Sequence, residues 1–334
     1  MAPLDVLFLS QADVESLAVE PREVVDAVEG ALRAQGEGRV VLEPREHLIP
    51  DPAFGGHFNL LRAYIEPLGF AGVKVVGDYV RNYELGLPSE LGLLTLYDPR
   101  TGVPLAIVDA TELTEWRTGA TTAVGARLLA RADARVLGHV GARGTAYSNV
   151  TMLDAIFGFD EIRVTSRRPE SREAFARALE DALGKPVRVV DTIREAVDGA
   201  DVVVEATRLE RPEPILRTEW LAEGALVVPY GTMSAVELTL TDAADKIVVD
   251  DWGQCRSGRF GALRAHVDSG RLTADTLHAE LAEIVVGAKP GRERDDERIV
   301  FWHRGLATAD VAVGALLYDR ARARGTGTLL RYRT

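Results

Sequence analysis

Between Ala134 and Arg168 the chain permits few folds. The stretch opens on an apolar run, Val136-Leu137-Gly138-His139-Val140, and turns sharply at Gly141-Ala142-Arg143-Gly144-Thr145-Ala146. Helical spacing follows from Tyr147 to Phe157, and a second apolar strand, Ile162 to Thr165, ends in Ser166-Arg167-Arg168. Strand, glycine turn, helix and strand in this order predict the first half of a dinucleotide-binding βαβ unit. Glycine lets the backbone bend tightly and approach a pyrophosphate, and the next helix offers its unpaired N–H groups to that anion. The turn is imperfect. Gly141 and Ala146 fit the first and third positions of G-x-G-x-x-G/A, but the second is Arg143, with a glycine displaced to Gly144. Glycines alone also suit an ordinary strand-to-helix turn; the flanking strands favour nucleotide binding. Gly141, Ala142, Arg143, Gly144, Thr145 and Ala146 are therefore the expected cofactor-phosphate contacts.

The end of the second strand discriminates between nicotinamide cofactors. A carboxylate there bonds the ribose 2′-hydroxyl of NAD, whereas Arg accommodates the 2′-phosphate of NADP. Here Ser166, Arg167 and Arg168 stand with no carboxylate before Glu170, so NADP(H) is favoured over NAD(H). The other reading of these residues is a solvated basic turn.

The 334 residues suit two domains, and 27% charged with 46% hydrophobic residues describe a globular chain. A net charge of −12 argues against nucleic-acid or anionic-membrane partners. The single cysteine, Cys255, excludes an internal disulfide framework and a cysteine-cluster metal site, and no metal is expected. No basic region followed by an apolar run opens the chain, and no stretch has the roughly 18 apolar residues of a membrane span. A cytoplasmic protein is expected.

Around the nucleotide-binding core the pattern divides. Val6 to Leu9 reads as a strand, Ser10 as an N-cap, and Pro21 to about Ala34 as a helix with Val24, Val25, Val28, Ala31 and Leu32 inward. Strands are predicted at Val40–Leu42, His57–Tyr64, Ala71–Val76, Gly92–Tyr97 and Val103–Val108, the last two joined by the Asp98-Pro99-Arg100-Thr101-Gly102 turn. A helix from Thr111 to Leu129 then leads into the nucleotide-binding strand. Further strands at Val187–Val190, Val202–Glu205, Ala225–Val228, Ile247–Val249 and Ile299–Phe301 predict a doubly wound parallel sheet. The last helix is predicted over Ala307–Arg324, with Val311, Leu316, Leu317 and Tyr318 as its buried face.

Three basic residues ahead of the nucleotide-binding strand are candidates for chemistry: Arg45 after Pro44, Lys74 within Gly72-Val73-Lys74-Val75-Val76, and Arg117 near a helix start. An ammonium between valines is expensive to bury unless paired, so Lys74 either faces a cleft or, if the strand simply alternates, lies exposed and inert. Arg117 beside Thr118 either grips a carboxylate bidentately or sits on a solvated helix face. His303, in Trp302-His303-Arg304, is either a proton donor or the partner in a structural hydrogen bond.

Taken with the glycine turn, Gly72-Val73-Lys74, Asp98 with Thr101 to Ala106, and Leu113-Thr114-Glu115-Trp116-Arg117-Thr118-Gly119-Ala120 resemble the ornithine cyclodeaminase/mu-crystallin family. Ala206-Thr207, Pro214-Ile215-Leu216, Val249-Asp250-Asp251, Gly291-Arg292, and Gly305 with Asp310 extend the resemblance over roughly residues 5–325. It implies a Rossmann-type doubly wound parallel sheet plus a discontinuous α+β substrate and dimerisation domain, with residues 1–116 and 306–334 in the latter and 117–305 in the nucleotide-binding domain. It further implies a homodimer that uses NAD(P)(H) on the C–N bond of a small α-amino or α-imino acid. By the same resemblance Arg45, Lys74 and Arg117 contact the substrate carboxylate and reacting centre; Lys74 is thus one expected catalytic residue, and His303, offered by its own chemistry rather than by the resemblance, is the other. Thr118 and the glycine turn bind cofactor phosphates, and Ala206 and Thr207 lie beside the nicotinamide ribose.

The chain departs from cyclodeaminases in the family. Their aspartate after the strand equivalent to Ala225–Val228 is missing from Pro229-Tyr230-Gly231-Thr232-Met233-Ser234, and their acidic residue ahead of the lysine falls near Leu60 or Leu61. A reductase or dehydrogenase is thus expected ahead of a cyclodeaminase or a non-enzymatic NADP(H)-binding protein.

Overall fold

The computed structural model describes residues 3–258 and 260–334. In chain order the elements are β1 (Leu4–Leu9), α1 (Gln11–Ser16), α2 (Pro21–Gly36), β2 (Val40–Leu42), β3 (Glu46–Leu48), β4 (Gly56–Ile65), β5 (Phe70–Tyr79), β6 (Glu90–Tyr97), β7 (Pro104–Asp109) and α3 (Thr111–Leu129). There follow β8 (Val136–Val140), α4 (Ala146–Phe157), β9 (Glu161–Thr165), α5 (Pro169–Leu183), β10 (Arg188–Val189), α6 (Ile193–Val197), β11 (Val202–Glu205), β12 (Leu226–Pro229) and β13 (Lys246–Val249). The chain closes with α7 (Trp252–Arg256), α8 (Arg264–Asp268), β14 (Ala279–Glu280), α9 (Leu281–Val285), β15 (Ile299–Trp302), α10 (Ala307–Arg324) and β16 (Thr328–Arg333). The chain divides into two compact units, residues 1–117 with 306–334, and residues 118–305. Arg117, expected at the head of the second unit, thus belongs to the first.

The first unit is α+β. Its sheet runs β16-β1-β7-β6-β5-β4-β2, with β3 also on β4, and all its pairings are antiparallel except β1 with β7. The Asp98–Gly102 turn makes the expected hairpin of β6 and β7, Gly102 taking the left-handed conformation. Helix α10 lies directly on this sheet. A Cβ on Gly72 of β5 would stand 2.7 Å from Val311, and one on Gly314 would stand 2.3 Å from Leu94 of β6, so glycine on each side sets the approach. Because α10 sits so close, it is buried almost all round from Ala307 to Ala315 rather than along one stripe, and Leu316 and Tyr318 are only half-buried.

The second unit carries a parallel sheet in the order β10-β9-β8-β11-β12-β15-β13-β14, the doubly wound Rossmann arrangement. The strand order reverses between β8 and β11, which pair in parallel register from Leu137–Val202 to Val140–Glu205. Strands buried on both faces read as continuous apolar runs, which is why Val202-Val203-Val204 and Leu226-Val227-Val228 were legible as strands. Where Val187–Val190 predicts a full strand, only Arg188 and Val189 pair with β9, because this is the sheet's edge. Helix α5 and the C-terminal strand β16 are elements that the apolar pattern does not predict.

Candidate functional site

In the first unit, alternation along β5 is inverted with respect to hydrophobicity. Val73 and Val75 are 38% and 40% exposed, while Lys74 between them is fully buried. The β4–β5–β6 register sets Lys74 between Leu61 and Leu94, both buried, on the face that α10 covers. Its ammonium is paired there: Lys74 Nζ donates to Asp310 Oδ1 of α10 at 2.5 Å and to Thr114 Oγ1 of α3 at 2.9 Å. Thr114 Oγ1 in turn donates to the Ala110 carbonyl at 2.6 Å, which fixes the hydroxyl as acceptor toward the lysine. Arg117, one helical turn after Thr114, places Nε 2.8 Å from the same Asp310 oxygen and is itself buried. One carboxylate therefore faces two buried cations.

Electrostatics follow from that imbalance. Burial and the Arg117 charge lower the Lys74 pKa to about 7, against the opposing pull of Asp310; Arg45 adds to the lowering. Arg45, half-buried immediately before β3, is thus within electrostatic reach of the ammonium. An ammonium has three hydrogens, and Asp310 and Thr114 take two of the Lys74 set. The third meets no acceptor among the described residues. Lys74, Arg117 and Arg45 are brought together as one cluster in this unit, and of the alternatives for Lys74 the exposed one is overturned. Asp310, which enters the sequence reading only as part of a resemblance, is its centre.

In the second unit the glycine turn follows β8 at the point where strand order reverses. Gly141 has φ +115° and the space beyond it is taken: a Cβ would stand 2.6 Å from the Ala206 carbonyl oxygen. The turn brings the backbone of Gly141 against the loop after β11, with Ala206 and Thr207 half-buried beside it. Thr145 and Ala146 are buried at the start of α4, while Arg143 and Gly144 are exposed, and a Cβ on Gly144 would meet nothing. An open glycine edge and a twelve-residue helix starting at the switch point fit a dinucleotide pyrophosphate. Ser166 is half-buried after β9, its Oγ donating to the Arg168 carbonyl at 3.1 Å, and Arg167 and Arg168 are exposed. Thr118 is fully buried in α3.

His303 lies between two rings, Tyr230 at 4.8 Å and Phe301 at 5.1 Å, each roughly parallel to it. Its Nε2 is 2.9 Å from Thr122 Oγ1, which donates to Asn149 Oδ1 at 2.5 Å, and Asn149 Nδ2 donates to the Thr145 carbonyl at 3.0 Å. A hydrogen-bonded chain so runs from the histidine to the glycine turn, and the structural bond foreseen for His303 is present. Among the described residues no group of His, Cys, Asp and Glu could hold a metal, and no helix is long and apolar enough to cross a membrane.

Glu205, at the end of β11, is a buried carboxyl at the switch point that sequence reading missed; inside an apolar run it passes for a strand terminus. It is fully buried, and its Oε1 accepts from the Thr207 N–H at 2.7 Å and from the Thr207 hydroxyl. Oε2 accepts from the Gly231 N–H at 3.2 Å, so one carboxyl ties the loops after β11 and β12 together. Burial raises its pKa to about 7 against those donors.

Fold and site define a two-unit α/β protein: a Rossmann dinucleotide-binding unit, and an α+β unit built round a buried lysine. The chain belongs to the ornithine cyclodeaminase/mu-crystallin family, whose sequence model matches residues 5–325. It is similar to the alanine dehydrogenase of Archaeoglobus fulgidus, 31% identical over 333 residues, or 98% of this chain and 99% of that protein. Its structure is similar to that of Thermococcus litoralis Δ1-pyrroline-2-carboxylate reductase in complex with NADH and L-proline, at a TM-score of 0.90, 30% identity, and 97% and 99% coverage of the two chains. An archaeal alanine dehydrogenase dimer with bound NAD is similar at a TM-score of 0.91 and 32% identity, with 98% and 100% coverage.

The buried Glu205 carboxyl makes stability depend on pH. Its folded pKa near 7 exceeds the 4.5 of an ordinary glutamate, so across that window the folded chain keeps a proton that the unfolded chain has released. Stability contributed by the neutral carboxyl is full below about pH 4.5 and falls as pH rises through about 7, by roughly 3 kcal/mol in all. Urea midpoints of the wild type should decline over this range more steeply than those of Glu205→Gln. Parallel declines would show that Glu205 does not titrate there.

Proposed function

We propose that the protein is an NAD(P)(H)-dependent oxidoreductase acting on the C–N bond of a small α-amino or α-imino acid. One observation carries the reading most: a buried lysine with a pKa near 7, two of its hydrogens committed and a second cation beside it, in a chain with a dinucleotide-binding unit. Relatives with the names alanine dehydrogenase and pyrroline-2-carboxylate reductase support the reaction class.

Arg117 and Arg45 hold the substrate carboxylate, Arg117 through its planar guanidinium. A bound nicotinamide supplies or accepts the hydride at the α-carbon. The C=N nitrogen needs a proton as carbon gains hydride; Lys74 Nζ gives its third hydrogen and is left neutral. Thr114 and Asp310 hold the ammonium in place for this step, and a pKa near 7 lets it give and regain the proton at neutral pH. His303, stacked and bonded to Thr122, acts in this scheme on the nucleotide-binding side through Asn149 and the glycine turn. Thr118, Gly141 to Ala146, Ala206 and Thr207 receive the cofactor. Arg167 and Arg168 supply exposed guanidinium groups to a 2′-phosphate, so NADP(H) is preferred over NAD(H).

A homodimer forms through the sheet face opposite Lys74. That face carries Val73, Val75, Leu91 and Leu93 exposed side by side on β5 and β6, Leu93 at 50%. Contiguous exposed apolar surface of this kind marks an interface. An archaeal relative of known structure is described as a dimer.

Lys74→Ala should abolish turnover of imino and amino acids while cofactor still quenches or enhances fluorescence normally; undiminished turnover would sink the lysine assignment. In wild type, kcat/KM for imine reduction should fall as pH rises past about 7, because the proton donor is then spent. Arg167→Ala with Arg168→Ala should weaken NADPH binding about tenfold and leave NADH binding unchanged; equal losses for both cofactors would remove the NADP preference. Val75→Glu with Leu93→Glu should yield monomers by light scattering. A dimer that survives both charges must use another surface.

A further inference from the structure

We infer that the substrate's side chain carries a neutral hydrogen-bonding group, a hydroxyl or carboxamide, received by Asn59 on the Lys74 face of the first unit's sheet. This rests on the reading proposed above and names the substrate class for that site.

Cross-strand register lays out the face. Leu61 opposes Lys74, and one step along, Asn59 opposes Val76 on β5 and His47 on β3. Asn59 is therefore the diagonal neighbour of Lys74, and such neighbours are roughly 7–8 Å apart at Cα. Helix α10 covers the sheet with Gly314 at Leu94, Val311 at Gly72 and Asp310 at Lys74. The row holding Asn59 thus lies on the side of Lys74 toward and past the N-terminal end of α10.

Asn59 itself is the anomaly. It is 8% exposed, and its Oδ1 is buried with no hydrogen-bond partner among the described residues. Buried polar groups are almost always satisfied, and leaving one unmade is costly. A pocket for a hydrocarbon side chain would place an apolar residue there, as at Leu61 and Val76. The chemistry of the surroundings narrows what Asn59 receives. Lys74, Arg117 and Arg45 lie on one side, which disfavours an ammonium. Asp78 and Glu90 occupy the next row on the same face, which disfavours a second carboxylate. The amide presents either Oδ1 or Nδ2 on rotation, and a hydroxyl or carboxamide, being both donor and acceptor, meets either. His47 and His57, with ring centroids 5.2 Å apart beside Asn59, extend the polar lining.

The test uses isosteric pairs of L-amino acids: serine against 2-aminobutyrate, homoserine against norvaline, and asparagine against leucine. Calorimetric binding to the full chain and kcat/KM with NAD+ and NADP+ are both measured. Wild type should favour the polar member of at least one pair by about tenfold or more. Asn59→Leu should erase that preference through the KM of the polar member, leaving the apolar member as good or better. Asn59→Ala should do the same if the leucine variant melts early. Equal or better handling of all three apolar members by wild type overturns the inference and leaves the proposed reaction standing. So does a polar preference that persists in both variants, because Asn59 is then not its source. Binding and turnover of none of the six overturn the inference and the proposed function together.

Discussion

The ion pair of Lys74 with Asp310 organises the first unit. An ammonium at that depth is intolerable without a counter-charge, and the carboxylate comes from a helix 236 residues further along the chain. For the two to meet, α10 has to lie nearly in contact with the sheet, and Gly72 and Gly314 remove the side chains that would keep it away. The C-terminal segment so becomes part of the unit that the N-terminal residues begin. Thr114 and Arg117, one turn apart on α3, then converge on the same two groups because helical neighbours three residues apart share a face.

The second unit depends on the same kind of restraint at the ends of its strands. Gly141, just past β8, and Glu205, the last residue of β11, stand at the ends of the neighbouring strands where order reverses: one allows the turn to press on the Ala206 carbonyl, the other pins the loops after β11 and β12. Tyr230, whose N–H donates to the Glu205 carbonyl, stacks on His303, and that histidine reaches α4 through Thr122 and Asn149. The glycine turn and the histidine are then two ends of one hydrogen-bonded framework, held by groups with no apparent motif.

What was legible in the sequence was local. Apolar period and turn chemistry located the strands from β4 to β9 and placed α3 and α10 at their observed limits, since Pro, Gly and capping residues act within a few positions. Which face of β5 turns inward was not legible: the valines argue one way and the lysine the other, and only the register with β4 and β6 and the approach of α10 decide it. Asp310 reads as an ordinary residue in the first turn of a helix, Glu205 as the end of an apolar run, and Asn59 as a polar interruption of a strand. Each gains its meaning from a neighbour distant in sequence. The position of Arg167 and Arg168, exposed at the end of a strand after a glycine turn, is legible because that context is itself local.

Lys246 shows why burial of a lysine is not by itself a functional signal. It too is buried, on β13, yet its Nζ meets the Gly291 carbonyl at 2.6 Å, Glu293 at 2.7 Å and Glu297 at 3.0 Å. Three hydrogens find three acceptors, two of them carboxylates, and nothing is left over. Lys74 is given one carboxylate, shares it with Arg117, and keeps a hydrogen that no described residue accepts. The first arrangement holds an ammonium as a fixed strut; the second lowers its pKa to about 7. Glu205 is the acidic counterpart, its carboxyl met by N–H and O–H donors and, among the described residues, no cation, so that burial drives it toward the neutral form. Incomplete neutralisation, rather than depth, separates groups that can move a proton from groups that only hold the fold.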